Sequence, residues 1–146
     1  MAVTGKLYGL WLRNILNGTI ATDWDTDTIK VMLTTSLYTP DQDTHDFKND
    51  VTNEVTGTGY TAGGQALTNK TVTYTAATNK IMLDADDVTW ANSTITARTA
   101  VVYKDTGTAT TSPLICYQQS DTDISSSGGN FTIQWDAAGI VEITVS

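Results

Sequence analysis

Ile29–Gly64, IKVMLTTSLYTPDQDTHDFKNDVTNEVTGTGYTAGG, joins one clear strand to a long segment with almost no chemistry in it. Ile29, Val31 and Leu33 alternate with Lys30 and Met32, the two-residue period of a half-buried strand. The period stops after Leu33. Pro40, the acids Asp41, Asp43, Asp46 and Asp50, and then Gly57, Gly59, Gly63 and Gly64 describe a turn-rich insert over about residues 34–64. An ordered path through such a segment needs a scaffold beneath it, as surface loops do.

Outward from this stretch the chain is mostly short strands. Lys70–Thr75, KTVTYT, places Val72 and Tyr74 on one face, and Lys80–Leu83 follows the turn Ala76–Asn79, so the two form a hairpin. Val88–Trp90, the apolar Ala97–Tyr103 as a central strand, Leu114–Gln118, Phe131–Trp135 and Ile140–Val145 complete the set. Gly128-Gly129-Asn130 and Asp136–Gly139 supply turns, and the last two strands are expected to pair. From Lys6 to Leu16 apolar residues recur every three or four positions, predicting an amphipathic helix over about residues 4–17 with Thr4 as N-cap and Asn17-Gly18 as stop. The fold expected is mainly β: an antiparallel β-sandwich or barrel-like domain, residues 1–146, with one N-terminal helix and the long insert.

Composition narrows the function classes. Hydrophobic residues make up 40% against 16% charged, too apolar for a disordered chain. Threonine fills 29 of the 146 positions, keeping solvent-facing strands wet without charge. A net charge of −8 opposes direct binding to a nucleic-acid backbone, which needs Lys and Arg to release counterions. No stretch approaches the roughly 20 apolar residues of a membrane span, and no membrane partner is expected.

The search for chemistry yields little. The only cysteine, Cys116, sits in the apolar run Leu114–Tyr117 and reads as a core thiol. His45, the only histidine, lies in a polar run and reads as a solvated loop side chain. Asp23, Asp25 and Asp27 begin like a calcium loop, but Thr28 stands where the turn needs Gly and Thr34 where a bidentate Glu is needed. Those acids, with Asp84, Asp86, Asp87, Asp121 and Asp123, are candidates for a surface calcium site or for turns in which Asp caps its own backbone. Gly57–Gly63 lacks the Lys-Ser/Thr ending of a phosphate loop, and only Glu142, in the last strand, stands where burial could raise a carboxyl pKa. Of the tryptophans, Trp11 belongs to the helix face, Trp24 follows an acidic turn, and Trp90 and Trp135 fall in strand patterns, all favouring packing over sugar stacking. No catalytic residue, cofactor or metal is expected.

The sequence KLYGLWLRNILNG, then WDTDTIKVMLTTSLYTPDQDTHDF, NEVTGTGYTAGG, LDADDVTWANSTITARTAVVYKDTG and PLICY, resembles a family of small tailed-bacteriophage virion proteins of the capsid cement or decoration type. The resemblance spans nearly the whole chain and is strongest from Thr28 to Gly107; its motifs are strand and turn signatures with no catalytic residue to carry over. It implies a non-enzymatic β-rich protein made in the host cytoplasm and bound in many copies to the outside of the virion head. Its partners would be the major capsid protein and copies of itself, commonly as homotrimers. Within that role the helix and the insert are expected to supply contacts, through Leu7, Trp11, Ile15, Tyr38, Phe47 and Tyr60. An alternative places the domain in the tail or a fibre as a host-glycan-binding module, and a virion glycan hydrolase is a distant third.

Overall fold

A computed structural model describes all 146 residues. Eight strands, β1 (Val3–Leu7), β2 (Ile29–Thr34), β3 (Gln65–Ala66), β4 (Thr71–Thr75), β5 (Lys80–Asp84), β6 (Val88–Lys104), β7 (Leu114–Ile133) and β8 (Val141–Thr144), form two antiparallel sheets with one short helix, α1 (Gly9–Leu16). The larger sheet runs β1-β7-β6-β2-β3 and the smaller β4-β5-β8. Neither closes into a barrel.

The alternation at Ile29–Leu33 is β2, and the hairpin is β4–β5 with Thr71 opposite Asp84 and Thr75 opposite Lys80. Ala97–Tyr103 is central as expected, between β2 and β7, but it is the end of a longer strand. Residues Val88–Ala97 of β6 alternate buried and exposed except at the exposed pair Ala91-Asn92, whereas Thr99 to Tyr103 are buried without a break because both faces are covered there. One covered face carries Met32, Val101, Tyr103 and Tyr117, against which Tyr8 packs at 5.2 Å from Tyr117 and Gly63 accepts from the Tyr103 hydroxyl at 2.8 Å. On the other face Leu7 and Cys116 line a crevice with Ile140 and, from the smaller sheet, Val141.

Three expectations are corrected. Residues Val3–Leu7 are a strand pairing with β7 from Val3↔Ser120 to Leu7↔Cys116, so the helix starts at Gly9 with Tyr8 at its N-cap, not at Thr4. The open edge of β7 offers this segment a full ladder of hydrogen bonds, which outweighs the apolar spacing that reads as helix. Gly5 lets the Gln118 side chain lie close across it: a Cβ would sit 2.6 Å from the Gln118 amide oxygen, which would have to swing aside. The stop at Asn17-Gly18 holds, with Gly18 at φ +73° and Thr19 and Ile20 both donating to the Asn14 carbonyl.

Leu114–Gln118 and Phe131–Trp135 are not separate strands but near opposite ends of β7, and Gly128-Gly129-Asn130 lies inside that strand as an irregularity instead of a turn. The final strand does not pair with Phe131–Ile133, which is occupied by Val88–Trp90. The turn Asp136–Gly139 carries the chain to the other sheet, where Ile140 donates to the Leu83 carbonyl at 2.8 Å and β8 zips along β5.

Candidate interaction surface

The insert is laid over its own sheet. Thr35 donates to the Asn53 carbonyl and Val55 to the Leu33 carbonyl, so residues 53–55 continue where β3 leaves off and the outer edge of β2 is covered. Farther out, Lys48 donates to Ser112 and Leu114 to Asp46, fastening the Phe47 region to the start of β7. Thr94 donates to the Thr58 carbonyl, and the adjoining Gly59 lies so close to Ser93 that a Cβ would be 2.8 Å from its Cα. A Gly64 Cβ, at φ +71°, would land on the Val31 carbonyl.

This path decides the fate of the six expected contact residues. Trp11 is buried and donates its indole N–H to Thr22 at 3.2 Å. Tyr38 is buried as well, its hydroxyl 2.9 Å from that of Tyr8 and 3.0 Å from His45 Nδ1. Neither side chain is available to a partner, a correction with one cause: a large aromatic in a chain this size is more valuable to its own core. Leu7 (on β1 rather than the helix), Ile15, Phe47 and Tyr60 are half-buried against the core or its margin. The Tyr60 hydroxyl donates to Glu54 Oε1 at 2.7 Å and accepts from Leu33 N, while its ring stacks 5.9 Å from Trp90. The structure thus joins Tyr38 to the start of α1 and Tyr60 to Glu54, Leu33 and Trp90.

His45 is half-buried and held in place by its neighbours. Its Nδ1 takes hydrogen bonds from the Tyr38 hydroxyl and from the Asp41 backbone N–H at 3.3 Å, and its ring stacks on Tyr38 at 5.7 Å. Cys116 is buried and 2% exposed, and burial pushes its thiol up to about 12, so it stays protonated near neutral pH and is a poor nucleophile. The acids of the calcium-like segment cap their own turn: Asp23 accepts from the backbone of Asp25 and Thr26, and Asp27 pairs with Lys104 at 2.8 Å. No three His, Cys, Asp or Glu side chains converge. Glu142 pairs with Lys80 at 2.6 Å on an exposed face of the smaller sheet.

No protein-family model, curated protein or solved structure matches this chain.

Two features of the surface are left open. The first is a groove of about 860 Å³ where β6 and β7 bend at Arg98, with Leu33 and Ala100 on one side and Phe131, Ile133 and Trp135 on the other. Trp135 is fixed there, donating its backbone N–H to Asp87 and its indole N–H to the Asp86 carbonyl. The second is the smaller sheet. Cross-strand pairs put Val72, Tyr74, Ile81, Leu83, Val141 and Ile143 on one face, and this face is covered only near its base, where Leu83 and Val141 are buried. Val72 stays 45% and Tyr74 59% exposed. The signal that could have found them is in the sequence: KTVTYT alternates apolar with threonine where nothing nearby supplies a second layer.

Proposed function

We propose that this chain is a non-enzymatic structural protein of a tailed bacteriophage virion, a cement or decoration protein that binds the outside of the head across capsomer junctions. The observation that carries the reading is the way the chain spends its polar chemistry. Tyr8, Tyr38, His45, Tyr60, Glu54 and Tyr103 are committed to hydrogen bonds that fasten the insert and the helix to the chain's own sheet. What remains outside is a threonine-rich, acidic exterior fixed to a rigid sheet. Such a surface suits many weak symmetric contacts, where avidity replaces a deep pocket. The sequence resemblance points the same way and names the partners, the major capsid protein and further copies of this chain.

Quantitative mass spectrometry of purified virions and of DNA-free heads tests the reading. The expected result is co-purification with DNA-free heads at a copy number in the hundreds. A few copies confined to the tail tip would overturn it and favour the tail-associated alternative.

A further inference from the structure

β4 is the outermost strand of the smaller sheet, and all five of its residues are exposed. Natural edge strands are kept from pairing by charge, proline, a bulge or a cover. The other edges follow that rule: β1 carries Lys6, β8 carries Glu142, and β3 is two residues long. Thr71–Thr75, TVTYT, has no charge and no proline, and its register with β5 is unbroken, so no bulge turns it away. Its outward N–H and C=O groups receive no hydrogen bond from any other part of the chain.

We propose that β4 pairs antiparallel with β4 of a second copy of this chain, about a twofold axis through Thr73. Charge selects the occupant. At −8 the chain repels its own copies wherever acids are exposed, and β4 is a neutral strip on which two copies meet without that penalty; a cationic partner is drawn to the acidic loops instead. The strip is also complementary to itself, as a twofold contact demands. Pairing about Thr73 sets Val72 against the copy's Tyr74 and Tyr74 against its Val72, two β-branched–aromatic pairs on the apolar face. On the other face Thr71 meets Thr75, and the next strands of that row place Asp84 of one copy in line with Lys80 of the other, opposite in sign. Sliding the register by two residues forfeits both Val72–Tyr74 pairs, leaving a single like pair, Tyr74–Tyr74 or Val72–Val72, on the axis. The joined sheet has six strands, with the apolar faces of both halves on the same side.

This contact stands apart from the proposed virion role, and it is twofold where the resemblance implies a trimer. Sedimentation velocity on the full chain, from micromolar to millimolar concentration, should show monomer converting to dimer. The double variant Val72→Lys/Tyr74→Lys, altered only at exposed positions, should remain monomeric with an unchanged circular dichroism spectrum. Residues directly opposite across an antiparallel pair are about 4.5–5.5 Å apart at Cα, within disulfide reach. Oxidised Thr73→Cys should therefore give a covalent dimer, and Thr71→Cys alone should not, the native Cys116 being buried. A wild-type chain that stays monomeric at millimolar concentration, a trimeric mass, or crosslinking through Thr71→Cys in preference to Thr73→Cys would each overturn the proposal.

Discussion

Tyr38 holds the middle of a buried polar chain that runs from Tyr8 to His45. Tyr8 is fully buried, and its hydroxyl has no partner other than Tyr38, so Tyr38→Phe strands it away from water. An unsatisfied buried hydroxyl costs about 1–3 kcal/mol. The reverse change, Tyr8→Phe, is milder because Tyr38 keeps His45. Thermal melts of the two variants should show a drop of several degrees for Tyr38→Phe and a smaller one for Tyr8→Phe. Trp90 shows the opposite balance, since its buried indole N–H has no partner at all. Burying an indole removes roughly 150–250 Å² from water, worth about 4–6 kcal/mol at about 25 cal/mol per Å², and this exceeds the unmade hydrogen bond. Contacts with Tyr60 and Phe131 add to that side.

At the scale of elements, the bend between β6 and β7 is the distinctive construction. Arg98 is the one residue of β6 between Ala97, opposite Ile124, and Thr99, opposite Gln119, so four residues of β7 bulge across from it. Its Nε donates to Asp123 at 2.8 Å and its Nη1 to the Asp121 carbonyl at 3.2 Å. Asp121 in turn exchanges hydrogen bonds with Ala2, which ties the first strand to the same bulge. Arg98→Ala loses a partly exposed ion pair and one hydrogen bond, together about 1 kcal/mol. Hydrogen exchange should accelerate at residues 120–123 and at the start of β1 while Val101 and Val102 keep their protection. Such irregularities are also why the elements were only half legible. Ser93, Asn92 at φ +50° and Gly128 at φ +70° carry turn-like chemistry, yet they sit within paired strands, so two long strands read as four short ones. By contrast β2 and the β4–β5 hairpin follow a plain two-residue period with a polar turn, and they were legible for that reason.

For the whole molecule, two lysine–carboxylate pairs join β2 and β6 to neighbouring turns: Lys30–Asp105 at 3.0 Å and Lys104–Asp27 at 2.8 Å. The Gly107 backbone N–H lowers the Asp105 pKa, against burial and with help from Lys30; at Asp27 burial pushes upward, but Lys104 and the Asp23 N–H prevail. A carboxyl depressed in the fold stabilises it above the unfolded value of about 3.9 and loses that contribution as pH falls through the folded value. Asp46 works in the other direction: burial and the Asp50 charge raise it, so its strain is relieved on acidification. Denaturant melts from pH 6 downward should therefore show a shallow decline or none at first and a steeper loss below about pH 4. Asp105→Asn should flatten that lower limb. The surface was less legible than the fold because a run such as Leu7–Leu16 or Tyr38–Tyr60 looks alike whether its aromatics meet a partner or the chain's own core. Only the three-dimensional path of the insert separates the two.

The pairing of β1 with β7 has a consequence for how the chain is made. Val3 emerges from a ribosome well before its partner Ser120, which follows after a delay on the order of ten seconds at typical synthesis rates of about 5–20 residues per second. Until then the opening segment has no ladder to join and is free to extend the helix that its apolar spacing favours. Folding should accordingly include a late local rearrangement, helix to strand, at residues 3–7, and a nascent chain stalled before Leu114 should hold those residues unpaired.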